Sequence, residues 1–157
     1  MGRRMKKKLK DIFDEEFKSP VVDSILEPFS GYNRDKDFTT LKAWKDAREA
    51  KSFFYKKVIP LLPASEKYNL YTQIRKASIS TTANIAEGYG RFYYTEGIQF
   101  YRISRASMYE LKDHLISCLD IGYIKEDDYN KGLNLIETTK VSINGYINYV
   151  KQRMNEK

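Results

Sequence analysis

The chain has 157 residues, enough for one domain with a buried core. Lysine and arginine total 28 against 21 acidic residues, a net charge of +7, which attracts polyanions at long range without dictating a fold. The single cysteine, Cys118, excludes an internal disulfide and a multi-cysteine metal site, and no stretch approaches the about 20 apolar residues of a membrane span.

Residues 1–38 read as an extension. MGRRMKKKLK carries six basic residues in ten and is followed by Asp11, Asp14, Glu15 and Glu16 instead of an apolar run, so it does not have the form of a secretory signal. A cytoplasmic protein with no membrane attachment is expected. Leu9, Ile12, Phe13 and Phe17 suit one side of a short helix that Pro20 interrupts, and Val21, Val22, Ile25, Leu26 and Phe29 form a second apolar cluster. Short helices lying on the domain or on a partner, and a mobile tail, are both consistent with this composition.

From residue 39 to 157 the pattern is an all-α, antiparallel up-down-up-down four-helix bundle. The first helix is expected over about Leu41 to Val58, capped by Thr39 or Thr40, with Ala43, Trp44, Ala47, Ala50, Phe54 and Val58 inward and Pro60 and Pro63 ending it. Ser65 is the expected cap of the second helix. There Leu70, Ile74, Ala77, Thr81, Ile85 and Gly88 fall three or four apart, and the small side chains around them invite close approach of another helix. Gly88 or Gly90 suits a left-handed cap. The third helix is expected from Thr95 to Gly122, with Tyr101, Ser104, Met108, Leu111, Leu115 and Cys118 or Leu119 on its apolar side. The fourth has Glu126, Asp127 and Asp128 in its first turn and a seam of Tyr129, Leu133, Ile136, Lys140, Ile143, Ile147, Val150 and Met154, which Lys140 alone breaks.

The stretch from Phe38 to Lys151 resembles a family of small bacterial four-helix-bundle proteins encoded in intervening sequences of 23S ribosomal RNA genes. A related branch holds the accessory variability proteins of diversity-generating retroelements. The matching residues are Gln73, Arg75, Ala77, Ser80 and Asn84-Ile85-Ala86-Glu87-Gly88, with Leu41, Trp44 and Ala47 before them and Glu110-Leu111 and Gly122-Tyr123 after. Thr82 stands where many members carry proline, which favours a straighter second helix, and Lys125 replaces the usual cap of the fourth. The resemblance implies a homopentamer and, in the retroelement branch, binding to a reverse transcriptase and to nucleic acid.

Two basic strips suit phosphate contact. Arg102, Arg105, Tyr109 and Lys112 share one face of the third helix, cations with an interleaved aromatic, bordered by Asp113. Lys42, Lys45, Arg48 and Lys51 follow one another by threes on the first helix, and Arg75 and Lys76 are placed to extend a strip. Arg91 opens the aromatic turn Arg91-Phe92-Tyr93-Tyr94, suited to gripping RNA, a protein groove or the bundle end. Asn84 and Glu87 read as structural anchors, with Arg91 and Arg105 as plausible partners.

Enzymatic readings lack their residues. Bundle di-iron sites need two Glu-x-x-His motifs, and this chain has one histidine, His114, four residues after Glu110. The arginine–histidine spacing of HEPN-type ribonucleases is absent, since Arg105 stands nine residues before His114. No metal or cofactor is expected. The residues point to a non-enzymatic accessory protein that binds structured RNA or an RNA–DNA hybrid, docking a reverse transcriptase in the retroelement case. The competing reading is an oligomeric scaffold whose basic faces meet an acidic protein.

Overall fold

The computed structural model describes residues 37–156. The extension expected over residues 1–38, with its basic start and apolar clusters, lies almost wholly outside the described residues. Among the described residues there are four long helices and no strand: α1 (Lys42–Phe53), α2 (Leu70–Tyr89), α3 (Tyr94–Ile121) and α4 (Glu126–Asn155).

Asp37 organises the start of the fold. Its carboxylate accepts the Thr39 backbone N–H at 2.9 Å and the Thr39 hydroxyl as well, closing a 3-10 turn over Phe38–Thr40. The Thr40 hydroxyl donates back to the Asp37 carbonyl at 2.8 Å. Neither threonine caps α1, contrary to the sequence expectation, because both hydroxyls serve the preceding turn. Extended Leu41 leads into the helix without a side-chain cap. After Phe53 the chain continues through a π-helical turn (Phe54–Val58) and a 3-10 turn (Ile59–Leu61) around Pro60, which has no N–H to carry a helix on.

Ser65 is likewise not the cap of α2. It sits inside a 3-10 turn (Ala64–Glu66), and α2 begins behind Asn69. Glu66 does the anchoring, accepting the Leu70 N–H at 3.3 Å and the Tyr123 hydroxyl at 2.9 Å, so one carboxylate ties the start of α2 to the α3–α4 turn. α2 then runs unbroken past Thr82. It does not end on a left-handed glycine: Gly90 has φ −77, and among the described residues only Gly122 has positive φ, at 84. Gly122 closes α3 as expected, its N–H bonding the Leu119 carbonyl at 3.0 Å while Tyr123 reaches Cys118 at 2.8 Å. α3 starts at Tyr94, one residue before Thr95. At the start of α4, Glu126, Asp127 and Asp128 face the positive end of the helix dipole and Lys125 provides no side-chain cap.

Cross-helix contacts fix the antiparallel order. Lys51 donates to Thr82 Oγ1 at 3.0 Å between α1 and α2. Ser104 donates to the Thr81 carbonyl at 2.6 Å and Ser107 to Ser80 Oγ at 2.8 Å between α2 and α3. Arg105 meets Asn144 and Lys112 meets Glu137 between α3 and α4. Ser142 reaches Asp46 from α4 back to α1. From α2 to α3 and from α3 to α4 the later residue on one helix meets the earlier one on the other. Arg75 over Tyr55 beside Lys51–Thr82, with Phe53 against Gly132 beside Asp46–Ser142, extends the pattern to α1, so the four helices alternate in direction and α1 stands diagonally opposite α3.

The inward faces follow the helical period. Ala43, Ala47, Ala50, Phe54 and Val58 are buried from α1, Ile74, Ala77, Thr81, Ile85 and Gly88 from α2, and Tyr101, Ser104, Met108, Leu111, Leu115 and Cys118 from α3. From α4 come Ile136, Lys140, Ile143, Ile147 and Val150, while Tyr129 and Leu133 are half-buried and Met154 is exposed beyond the core. Each fully buried large aliphatic side chain contributes about 1.5–3 kcal/mol. The small residues of α2 do bring α3 close. A Cβ on Gly88 would lie 2.6 Å from a Tyr101 ring carbon, and one on Gly97 would lie 2.8 Å from the Gly88 carbonyl oxygen. Here glycine serves close approach, not an unusual backbone angle.

Candidate nucleic-acid interface

The α3 strip borders α4, and its register against α4 decides what each cation can do. Arg105 donates to Asn144 Oδ1 at 2.6 Å, and Lys112 pairs with Glu137 Oε1 at 2.9 Å. Tyr109, between them in sequence, is exposed, and the Lys140 ammonium of α4 lies 4.0 Å from its ring centroid. Lys140 also donates to both Glu137 oxygens, at 3.1 and 2.9 Å. Arg102 is exposed, its nearest polar partner being Gln99 at 3.4 Å. The seam thus lines up Arg102, Arg105, Lys112 and Lys140 with one carboxylate, Glu137, which bridges the two lysines, while the two arginines meet neutral amides. From Arg102 to Lys112 it extends about 15 Å along α3.

The electrostatics follow from that sharing. Hydrogen bonds from Lys112 and then Lys140 hold the Glu137 carboxyl below its usual range. Burial works against the charge on Lys140, but the bonds to Glu137 and Tyr109 outweigh it and its pKa ends above the ordinary lysine value. The Lys140 ammonium is therefore held in its charged form, and the single Glu137 carboxylate is shared between it and Lys112. Asp113 and Glu110 border the strip but turn toward His114, whose Nε2 is 3.6 Å from Glu110 and Nδ1 3.9 Å from Asp113. Glu137, Lys140 and Asn144 were not among the site residues expected from sequence. Lys140 had left a signal, a lysine on an otherwise apolar seam with a glutamate three residues before it.

The α1 strip does not form one patch. Steps of three turn by about −60° each at 3.6 residues per turn, so four such residues fan across half the helix. Lys42 pairs with Asp46 at 2.6 Å, and Asp46 also takes the Ser142 hydroxyl, so this end belongs to the α1–α4 edge. Lys51, half-buried, belongs to the α1–α2 edge through Thr82. Lys45 is exposed, and the Arg48 guanidinium lies 5.6 Å from the Trp44 ring centroid. Arg75 joins the α1–α2 edge, donating to the Tyr71 hydroxyl at 2.7 Å and lying 5.4 Å from both the Tyr55 and Tyr71 rings, while Lys76 is exposed.

The remaining residues settle on α2 and the turn after it. Asn84 donates to the Ser80 carbonyl at 2.8 Å and to Ser80 Oγ at 2.9 Å, joining the Ser80–Ser107 contact across to α3. Glu87 pairs with Arg91, one turn on in its own helix direction, and not with an arginine of α3. The Arg91 guanidinium also lies 4.4 Å from the Phe100 ring centroid. Cys118 is fully buried, and burial first, with the Glu66 charge second, pushes its thiol up to about 11, which leaves it protonated and packed as a small apolar residue. No group of three His, Cys, Asp or Glu among the described residues is placed to hold a metal ion, and no helix there is long and apolar enough to cross a membrane.

The chain matches the family described as 23S rRNA-intervening sequence protein over residues 39–145, which is most of its length, and it belongs to that family. No curated protein matches it.

Proposed function

We propose that this protein is a non-enzymatic accessory factor that binds structured RNA through the α3–α4 seam. The observation that carries the reading is the imbalance there: Lys112 and Lys140 share one carboxylate, Glu137, while Arg105 meets the neutral Asn144 and Arg102 the neutral Gln99, with exposed Tyr109 beside them. Surplus cations on a rigid helix edge favour phosphates with little regard to sequence, and an exposed tyrosine adds a stacking surface for unpaired bases. The family description, which names ribosomal RNA, is compatible with an RNA-related role.

Two finer elements belong to the same proposal. The first is self-association into a homo-oligomer, a pentamer by family resemblance. Support comes from apolar side chains left outward on several helices, including Ile79, Ile103 and Val141. The second is docking of a reverse transcriptase together with an RNA–DNA hybrid, supported only by resemblance to the retroelement branch. A reverse-transcriptase gene beside the coding sequence, as against a position inside a ribosomal RNA gene, separates the two branches.

Fluorescence anisotropy with a structured RNA across a salt series tests the main reading. Log affinity falls against log salt with a slope of about −0.7 to −0.9 per phosphate contacted. Reversing Arg102, Arg105 and Lys112 to Glu abolishes binding while light scattering reports an unchanged mass. Binding indifferent to that reversal favours the scaffold reading, in which the same cations meet an acidic protein.

A further inference from the structure

A cleft of about 120 Å³ opens where the end of α2, the α2–α3 turn, the start of α3 and the last part of α4 meet. Its buried members, Gly88, Gly97, Tyr101 and Val150, mark the inner end, and the exposed Arg91 and Tyr93 mark the mouth, with half-buried Tyr146 forming a wall from α4. We infer that this cleft seats a single unstacked nucleobase of a bound RNA, with Arg91 at the phosphate beside it. The inference rests on the RNA-binding reading above.

The walls have the chemistry a base requires. Tyr101 and Tyr146 meet edge to face with centroids 5.0 Å apart, and Tyr146 stacks at 20° on Tyr149, 6.1 Å away and exposed, so aromatic surface continues from the cleft to its outside. A planar ring with a polar edge matches aromatic faces that end in phenol hydroxyls. Burial pushes both the Tyr101 and Tyr146 phenols up, and their hydroxyls are hydrogen-bonded to each other, so the pair stays protonated, without negative charge against a phosphate. The Arg91–Glu87 pair at the mouth is an exposed pair one helical turn apart, of the kind that is readily exchanged for a phosphate. The volume lies far below the roughly 300–1,000 Å³ of a drug-sized pocket, which suits one ring system and excludes a stack of several.

Position supplies the link to RNA. Tyr101 lies about one turn of α3 from Arg105, and Arg91 lines the cleft itself. The cleft therefore stands at the Arg105 end of the α3 cations, and a strand held by Arg105 and Arg91 through its phosphates brings an unpaired base to its mouth.

An RNA hairpin with 2-aminopurine in its loop, titrated with the full chain, tests this. The expected result is a change in 2-aminopurine emission that saturates together with anisotropy, and that adenosine 5′-monophosphate at millimolar concentration reverses. Tyr93→Ala, at an exposed position, weakens hairpin binding about 5- to 150-fold and duplex binding little. Tyr146→Leu, which keeps an apolar wall, removes the emission change. If both variants bind the hairpin like wild type with the same emission, the cleft is not a base seat while the RNA reading stands. If neither hairpin nor duplex binds at low salt, both readings fall. Reversal by N-acetyltryptophanamide and not by the mononucleotide identifies an aromatic side chain of a protein as the occupant and overturns the proposal.

Discussion

The Lys140 ammonium of α4 lies 4.0 Å from the centre of the Tyr109 ring on α3 while bonding both oxygens of Glu137. A lysine on the apolar seam of a bundle is costly unless it is paired, and here the pairing reaches the surface at the place where Lys112 also waits. Lys140 thereby takes up part of the Glu137 charge and leaves Lys112 incompletely neutralised.

Replacing Lys140 by Met separates its structural and electrostatic roles. Methionine fills the same volume without a buried charge, and Glu137, half-exposed, keeps water as a partner. Denaturant midpoints are expected within about 1 kcal/mol of wild type, and the replacement is as apt to stabilise as to destabilise. RNA affinity falls all the same, because Glu137 then neutralises Lys112 alone. Unchanged RNA affinity in a well-folded Lys140→Met protein removes Lys140 from the interface.

Glu137 gives the fold an acid dependence of known sign. Its folded pKa is held below the unfolded value of about 4.3 by Lys112 and Lys140, so its contribution is complete above that value and is lost as pH falls through the lower folded one. Glu137→Gln is expected to unfold more easily than wild type at neutral pH, and the difference between the two should close in acid. A gap in urea midpoints that stays constant from pH 7 to about pH 3 contradicts the assignment.

Much of this fold is written in periodicity, because burial of a helix face depends only on spacing along one helix. Ile74, Ala77, Thr81 and Ile85, or Met108, Leu111, Leu115 and Cys118, declare themselves in that way. Caps are less legible: Thr39, Thr40 and Ser65 have the right side chains, but 3-10 turns capture them and Glu66 acts from four residues away. Least legible is the site. Whether Lys112 meets Glu137 or Arg105 meets Asn144 depends on the register between α3 and α4, which neither helix encodes alone. The tyrosine cleft needs Tyr101 and Tyr146 brought together from positions 45 residues apart, as their numbers show.

Gly88 tests the closeness of α2 and α3. A methyl group there would meet Tyr101 at 2.6 Å and the Gly97 carbonyl oxygen at 2.9 Å, and backbone cannot step aside as a flexible side chain can. Gly88→Ala is expected to destabilise by about 1–3 kcal/mol despite the better helix propensity of alanine. Gly145, where a Cβ meets nothing within 4 Å, is the control: Gly145→Ala should stabilise by up to about 1 kcal/mol. Equal effects at the two sites, measured by thermal unfolding, refute the packing argument.

The two basic strips make opposite forecasts, because α1 is diagonal to α3 and its cations diverge. Lys42 is held at the α1–α4 edge by Asp46, and Lys51 at the α1–α2 edge by Thr82. One RNA strand lying along the α3–α4 seam cannot reach both ends of that fan. Reversing Lys45 and Arg48 to Glu lowers the net charge by four, more than removing Arg102 and Arg105 as Ala, which lowers it by two. If affinity follows overall charge alone, the α1 variant is the weaker binder. If the seam is the interface, the α3 variant loses about two phosphate contacts, its log–log salt slope shrinks by about 1.4 to 1.8, and the α1 variant keeps the wild-type slope. The ordering of those two slopes, measured on the same RNA, decides between a diffuse basic surface and a defined one.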